Sequence, residues 1–371
     1  MKNPKERIVI LALFLILIFV FYATVIFSAT DFSLSAKAAV LYEPVTDNFL
    51  YTKNANVRLP MASTTKIMTA LVALEESDLN EEIRVADEAI GIEGSSLYLK
   101  RGEILSMKEL LYGLMLRSAN DAAAAIAYAV SGGIDEFADK MNEKARSLGL
   151  TDTHFTNPHG LDDEEHYTTA RELALISAAA LKNQTFKEIV SSKKTTITNK
   201  DGEARLVVNH NKLLNLYDGA IGVKTGFTKR CGRCLVGAAE KDGLTFITVT
   251  INAPDDWRDH MTLFDYGYSL LEMRHLARVG EFRYDIPVLD SISEFVTVKN
   301  TESLDIIMQK EAGEVKANVK LSRYLAAPIN ENDILGKVIF TIDGKYLGEV
   351  DLVAETGAKS SKNKGLFSIF K

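Results

Sequence analysis

The sequence has only two cysteines among its 371 residues, so it does not encode a small scaffold held together by disulfide bonds. It also has no excess of basic residues. The 43 Lys and Arg are outnumbered by 50 Asp and Glu, which argues against binding nucleic acid through a broad basic face. With 47% apolar and 25% charged residues, the chain is neither disordered nor fibrous. Its length predicts two domains, or one large domain with an appendage.

Residues 8–27 form an uncharged apolar run, preceded by Lys2, Lys5 and Arg7. A helix of this length, at about 1.5 Å per residue, can cross a hydrocarbon core of about 30 Å. Positive charge before the run keeps the N-terminus in the cytoplasm and places the following chain outside. We predict that residues 1–30 are either a retained transmembrane signal-anchor or a cleaved signal peptide. The imperfect cleavage sites leave both open, and both place the remaining chain outside the cytoplasm.

Residues 36–275 mix helical and strand patterns, with strands at both ends of the segment. Strand patterns include Ala38–Tyr42 and Thr245–Ile251, whereas helical spacing runs through Met107–Ser131 and Trp257–Arg274. This arrangement predicts an α+β or α/β sandwich domain over residues 36–275.

Short β-rich runs separated by turn residues follow from residue 279. Their spacing predicts a small all-β sandwich domain over residues 279–355. The last segment, residues 356–371, begins polar and basic and ends with large apolar residues. It is expected to be either a disordered tail or a weak contact with a membrane surface.

Ser63 and Lys66 are three residues apart at the start of a predicted helix, which places both side chains on one face. A serine hydroxyl is a poor nucleophile until a base takes its proton, and a lysine amine is such a base only if burial lowers its pKa. The apolar residues Ile67, Met68 and Leu71 could supply that burial. By itself, S-x-x-K also fits a helix-capping serine followed by a surface lysine.

Two further motifs carry polar side chains suited to the same cleft. Ser118 and Asn120 are two residues apart, so the serine can pass a proton while the asparagine hydrogen-bonds a substrate amide. Lys224-Thr225-Gly226 precedes a predicted strand, where the glycine admits a substrate backbone and the other two side chains can hold a carboxylate. Each motif alone fits ordinary capping or a turn. Together and in this order, the three motifs are typical of class A β-lactamases and penicillin-binding proteins.

The chain strongly resembles the low-molecular-mass penicillin-binding D-alanyl-D-alanine carboxypeptidases, serine peptidases of the S11 family that trim peptidoglycan stem peptides. The resemblance spans about residues 36–355, and it rests on the three motifs together with Arg58–Thr69, His154–Leu161, Asn209–Leu214 and Gly222–Thr228. It implies helices around an antiparallel sheet, as in the serine β-lactamase and transpeptidase fold, followed by an all-β sandwich.

The resemblance implies a role for each motif residue. Ser63 would attack the carbonyl of the penultimate D-alanine, with Lys66 as its base. Ser118 and Asn120 would relay a proton and position the substrate amide. The resulting acyl-enzyme would then be hydrolysed by water.

The same resemblance places Lys224, Thr225 and Gly226 in substrate binding, the first two at the terminal carboxylate. The N–H groups of Ser63 and Phe227 would form the oxyanion hole. Some relatives carry an arginine at the position of His210. A partly protonated histidine could replace that arginine at the carboxylate, which predicts activity that depends on pH.

The implied partners are peptidoglycan stem peptides ending in D-Ala-D-Ala, β-lactam inhibitors, and the bacterial cell membrane through the N-terminal segment and, if it contacts membranes, the tail. The resemblance implies no metal ion and no cofactor. It places the protein outside the cytoplasm, either associated with the cell membrane or secreted to the cell wall.

Four alternatives stay open. Cys231 and Cys234 could form a redox pair or a strained disulfide, although two separately packed thiols are favoured. A class A-like β-lactamase would need a glutamate that activates water; no E-x-x-L-N-like segment follows the second motif, although Glu172 falls in the right region. A catalytically silent peptidoglycan-binding scaffold is disfavoured by the intact motifs. A metal site at His154, His159 and His166 is also disfavoured.

Overall fold

The computed structural model describes residues 32–361, and the described residues from Ala36 onward form one compact unit. The predicted signal segment, residues 1–30, and most of the predicted tail lie outside the described residues. Between residues 32 and 361, no helix is long and apolar enough to cross a membrane.

The strands of the described part are numbered in chain order. They are β1 (Ala38–Glu43), β2 (Asn48–Lys53), β3 (Glu82–Arg84), β4 (Ile104–Ser106), β5 (Lys194–Thr198), β6 (Ala204–Val208), β7 (Ala220–Thr228), β8 (Gly232–Lys241), β9 (Leu244–Ile251), β10 (Leu271–Ala277), β11 (Arg283–Leu289), β12 (Phe295–Asn300), β13 (Leu304–Gln309), β14 (Val315–Leu321), β15 (Leu325–Ala326), β16 (Ile334–Ile342) and β17 (Lys345–Ala354).

The α-helices of the described part are numbered in the same way. They are α1 (Lys66–Glu76), α2 (Met107–Leu116), α3 (Asn120–Ser131), α4 (Ile134–Ser147), α5 (Ala170–Leu181), α6 (Gln184–Ser191), α7 (Leu213–Leu216) and α8 (Asp256–Leu270). Short 3-10 turns at Ala62–Thr65 and Asp87–Ala89 complete the helical part.

A five-stranded antiparallel sheet, in the order β2-β1-β9-β8-β7, has helices on both faces. Successive strand residues point to opposite faces, and both sets are buried in β1. Val40 belongs to the large core shared with α1 to α6, whereas Leu41 lies where a side chain on Gly267 of α8 would be. The predicted α+β arrangement of helices around an antiparallel sheet is therefore confirmed.

Local sequence accounts for where several helices begin and end. Ser106 and Glu109 form a reciprocal capping box at the start of α2, and Thr169 accepts a hydrogen bond from Glu172 N at the start of α5. Helix α3 ends at Ser131 and is capped by Gly132, whose φ of +80° is a left-handed conformation that glycine adopts without strain.

The prediction of one continuous helix over Met107–Ser131 is wrong. Helix α2 ends at Leu116, α3 begins at Asn120, and Ser118 between them has a φ of +62°. A left-handed residue cannot continue a right-handed helix, so the chain turns at this serine. Ser118 therefore lies in the turn between α2 and α3 and belongs to neither helix.

The C-terminal part is an all-β sandwich, as predicted. A six-stranded sheet, in the order β14-β16-β17-β12-β11-β15, and the pair β10-β13 share a second core that includes Val298, Val338 and Leu352. The helix predicted to reach Arg274 ends at Leu270, because the next residues form β10 and pair with β13. We therefore propose that the two parts divide near Leu270, ahead of the predicted limits at residues 275 and 279.

Candidate active site

Ser63 lies in the 3-10 turn that leads directly into α1. The preceding residue, Ala62, has a φ of +49°, an uncommon conformation for a residue with a side chain. The first N–H groups of a helical turn have no acceptor within the turn, and the local dipole favours negative charge there. The position of Ser63 is therefore suited to stabilising the negative charge that develops on a substrate carbonyl oxygen when the hydroxyl attacks it.

The amine of Lys66 is buried and close to three oxygens. Its Nζ lies 3.0 Å from Ser63 Oγ, 2.6 Å from Asn120 Oδ1 and 2.5 Å from the carbonyl oxygen of His159. Burial, followed by the nearby charge of Lys224, holds the pKa of Lys66 well below the usual lysine range. A neutral amine has two N–H groups and one lone pair. Asn120 and His159 accept two N–H groups of the amine, and the third direction faces Ser63 Oγ, so loss of one proton from the amine would turn its lone pair toward the Ser63 hydroxyl.

Asn120 holds the lysine and a backbone carbonyl through its side-chain amide, which keeps one Nδ2 N–H for a further acceptor. Its Oδ1 accepts from Lys66, and its Nδ2 donates to the carbonyl oxygen of Glu93 at 2.5 Å. The structure therefore places this predicted substrate contact against Lys66. Ser118, two residues earlier, lines the cavity above Ser63.

Strand β7 borders the site at the edge of the five-stranded sheet. Lys224 is buried, its Nζ donates to the carbonyl oxygen of Thr225 at 2.9 Å, and burial lowers its pKa to about 7. Gly226 lies so close to the nucleophile segment that a Cβ on it would be 3.1 Å from Ser63 N. The sequence predicted that this glycine admits a substrate backbone; the structure shows that it also admits the turn carrying Ser63.

A cavity of about 620 Å³ opens above Ser63. Of the nine predicted site residues, six line it and three lie buried beneath it. The six are Ser63, Ser118, His210, Thr225, Gly226 and Phe227, and the buried three are Lys66, Asn120 and Lys224.

Comparison with known proteins decides the family. Residues 25–255 match the family described as D-alanyl-D-alanine carboxypeptidase, and residues 271–360 match the C-terminal domain of penicillin-binding protein 5. The chain belongs to the D-alanyl-D-alanine carboxypeptidase family. Its activity is that of a serine-type D-Ala-D-Ala carboxypeptidase, and the fold is consistent with penicillin sensitivity.

Named relatives and solved structures agree with this family. D-alanyl-D-alanine carboxypeptidase DacF of Bacillus subtilis is 33% identical over 88% of this chain and 86% of its own length. DacA of Escherichia coli is 29% identical over 86% and 83%. The crystal structure of DacD from Francisella tularensis covers 90% of this chain and 96% of its own at 26% identity, with a TM-score of 0.65. The Streptomyces K15 DD-transpeptidase covers 65% and 100% at 35% identity, with a TM-score of 0.62.

In this carboxypeptidase, two histidines that the sequence left without a role support the nucleophile segment. The carbonyl oxygen of His159 holds Lys66, and the ring of His166 lies 2.7 Å from Thr65 Oγ1 and accepts from Thr156 N at 3.0 Å. Burial lowers the pKa of His159 to about 3 and that of His166 to about 4, which keeps both rings neutral. The resemblance in His154–Leu161 indicated this region of the sequence. The role of the His159 carbonyl oxygen could not be predicted, because every residue has a backbone carbonyl whatever its side chain.

Among residues 32–361, no group of three His, Cys, Asp or Glu side chains is arranged to hold a metal ion.

His210 lines the cavity in a setting that favours the neutral imidazole. Burial lowers its pKa, and the charges of Lys224 and Arg117 lower it further. Arg233, a cation that was not among the predicted site residues, lines the same cavity. Arg233 donates to Asp256 at 2.7 Å, and its guanidinium lies 5.6 Å from the ring centre of Trp257.

Glu172, considered as a water-activating residue, is bound elsewhere in this carboxypeptidase. Its carboxylate accepts from the backbone N–H groups of Thr151 and Asp152 and from the hydroxyl of Thr153. These bonds fix the turn before His154, which forms a β-bridge with Tyr167. Glu172 does not line the cavity of Ser63.

The expectation that Cys231 and Cys234 pack separately is wrong. Their sulfur atoms are 2.7 Å apart, and the Cys231 thiol also donates to the carbonyl oxygen of Pro60 at 2.9 Å. The contact with Cys234, together with burial, raises the pKa of the Cys231 thiol. Both residues are free thiols packed against the segment that precedes Ser63.

Proposed function

We propose that Ser63 is the nucleophile and Lys66 its general base in removing the terminal D-alanine from peptidoglycan stem peptides. The observation that carries this proposal is the hydrogen bonding of the Lys66 amine, whose N–H groups are taken by Asn120 and His159. Ser63 Oγ attacks the carbonyl carbon of the penultimate D-alanine while its proton moves to Lys66 Nζ. The leaving amine of D-alanine takes up a proton through Ser118, and water then hydrolyses the ester on Ser63.

The oxyanion of each tetrahedral intermediate would accept hydrogen bonds from the backbone N–H groups of Ser63 and Phe227. The close approach of Gly226 to Ser63 N supports this pairing, because it brings β7 beside the nucleophile. The terminal carboxylate of the substrate would lie against Thr225, with Lys224 supplying positive charge. Arg233 is a further candidate at this end of the cavity, since it is cationic and lines the same space.

The test is D-alanine release from a pentapeptide ending in D-Ala-D-Ala, measured together with covalent penicillin labelling. Ser63→Ala should abolish both, and Lys66→Ala should slow both by about a thousandfold, a typical contribution of general base catalysis. Lys108→Ala, which removes an exposed lysine of α2, is the matched control and should behave as the unaltered chain.

Three results would point elsewhere. D-alanine release by the Ser63→Ala variant would remove Ser63 as nucleophile. Rapid turnover of the penicillin label would favour a β-lactamase, and labelling without any D-alanine release would favour the scaffold.

We further propose that the enzyme acts outside the cytoplasm and is held at the membrane by its N-terminal segment. The support is the apolar run of residues 8–27 with its preceding basic residues. The full chain should sediment with membranes after cell breakage, whereas a chain lacking residues 1–30 and expressed with a cleavable export signal should not. Equal release of both chains by buffer alone would exclude anchoring.

A further inference from the structure

A second cavity, of about 540 Å³, lies beside the cavity of Ser63. Residues 96–100 form one of its walls, and strand β6 with the preceding Glu203 forms another. The chain passes from one cavity lining directly into the other at two places: Ser95 to Ser96, and Ser118 to Arg117. At a third place one residue separates the two linings, since Val207 lines the second cavity and Asn209 lines the first. The two cavities are therefore neighbouring parts of one cleft.

The second cavity contains one cation that is not neutralised. Lys100 pairs with Glu203 at 2.7 Å, and Arg205 pairs with the buried Glu103 at 2.5 Å. Arg117 is exposed in the cavity, and its guanidinium makes no ion pair or hydrogen bond with any residue of the described part. An unpaired guanidinium beside a catalytic cleft is suited to a carboxylate, which it can bind with two parallel hydrogen bonds.

The wall formed by residues 96–100 also presents an apolar surface in a fixed position. Tyr98 is 77% exposed and has a φ of +57°, a conformation that is a rare outlier for a bulky side chain. Such strain is kept only where the surroundings impose it. Here Asp121 imposes it, because its carboxylate accepts from the backbone N–H groups of Leu97 and Leu99. Across the cavity, Leu206 is 64% exposed.

We infer that this second cavity binds the acyl part of the stem peptide, with Arg117 holding a free carboxylate that this part carries. The inference rests on the proposed function. The leaving group is a single D-alanine that ends at its own carboxylate, so only the acyl part of the substrate extends beyond the first cavity. Peptidoglycan stems joined through a γ-glutamyl link carry an α-carboxylate in that part, which gives the cavity a ligand of the required charge.

The test compares two peptides that differ only in that group. Both are N-acyl-γ-D-glutamyl-L-lysyl-D-alanyl-D-alanine, one with a free glutamyl α-carboxylate and one with the α-carboxamide. We expect the unaltered full chain in detergent to favour the carboxylate peptide about tenfold in kcat/KM, through a lower KM. Arg117→Gln should bring this ratio close to one, and Arg117→Lys should restore part of it. Arg101→Gln, which removes an exposed arginine outside the cavity, should leave the ratio unchanged.

The carboxamide peptide separates binding from damage to the fold, because a structural loss would slow both peptides equally. The inference would be overturned by an unchanged ratio in Arg117→Gln or by a ratio of one in the unaltered chain. In either case, D-alanine release by the unaltered chain would support the proposed function. Failure of the unaltered chain to release D-alanine from either peptide would overturn both.

Discussion

Two buried lysines flank the nucleophile, and each is expected to act in a different protonation state. Lys66 must be neutral to take the proton of Ser63, and burial lowers its pKa in that direction. Lys224 must be charged to attract a carboxylate, and burial brings its pKa to about 7. We therefore expect the rising limb of the pH profile to come from Lys66 and the falling limb from Lys224.

The pH dependence of kcat/KM, which reports the free enzyme, should show this division. We expect kcat/KM for D-alanine release to fall as the pH rises above about 7, because Lys224 then loses its proton. Lys224→Arg keeps the charge at every accessible pH, so the falling limb should disappear, even if the maximum is lower.

His210→Ala provides the comparison for this profile. A falling limb near pH 7 that survives in Lys224→Arg and vanishes in His210→Ala would assign the titration to the histidine instead.

At the scale of elements, the segment of residues 93–99 is fixed to the start of α3. Asn120 holds the carbonyl oxygen of Glu93, and Asp121 accepts from Leu97 N at 3.0 Å and from Ser96 Oγ at 2.6 Å. One helix terminus thereby positions both the Lys66 amine and a wall of the cleft. Loss of the Asp121 carboxylate should affect stability and substrate binding together.

Asp121→Asn should lower the free energy of unfolding by about 2–3 kcal/mol, since an amide N–H₂ would face backbone donors in a buried site. Hydrogen exchange should become faster at the amides of Leu97 and Leu99, and KM should rise. Asp139→Asn, at an exposed position of α4, is the control and should change neither. Unchanged exchange in Asp121→Asn would show that other contacts hold the segment.

The sequence predicted the motif residues and both parts of the fold, because side-chain chemistry and periodicity are local signals. It did not predict the break at Ser118, since a single left-handed residue barely alters the helical spacing of Met107–Ser131. The carbonyl oxygen of His159 could not be predicted at all, because every residue has one and only the tertiary fold selects it. The contact of Cys231 with Cys234 likewise depends on the conformation of the turn between β7 and β8, in which Cys231 lies.

At the scale of the whole molecule, three buried histidines stay neutral: His159, His166 and His260. His260 lies between the hydroxyls of Thr248 and Thr250, and burial lowers its pKa from 6.5 to about 3. The unfolded chain therefore binds more protons than the folded chain between these two values. The contribution of these histidines to stability is full above pH 6.5 and is lost as the pH falls.

The free energy of unfolding should decrease between pH 7 and pH 5, and His260 alone should account for about 2 kcal/mol of the decrease. Urea unfolding of the unaltered chain and of His260→Gln at both pH values measures this, because the variant lacks one of the three titrations. His154→Gln, at a partly exposed position, is the control. Equal pH dependence in the unaltered chain and His260→Gln would remove His260 from the explanation.

The contacts of Lys66 have a practical consequence for work on this enzyme. The groups that take its N–H bonds come from residues 54 and 93 positions away in the chain. A locally ordered segment around Ser63 would leave the amine protonated and the hydroxyl inert. Covalent labelling by a fluorescent penicillin should therefore count native molecules, so that a single gel could follow refolding yield, shelf life or the fraction of a mutant that folds in cells.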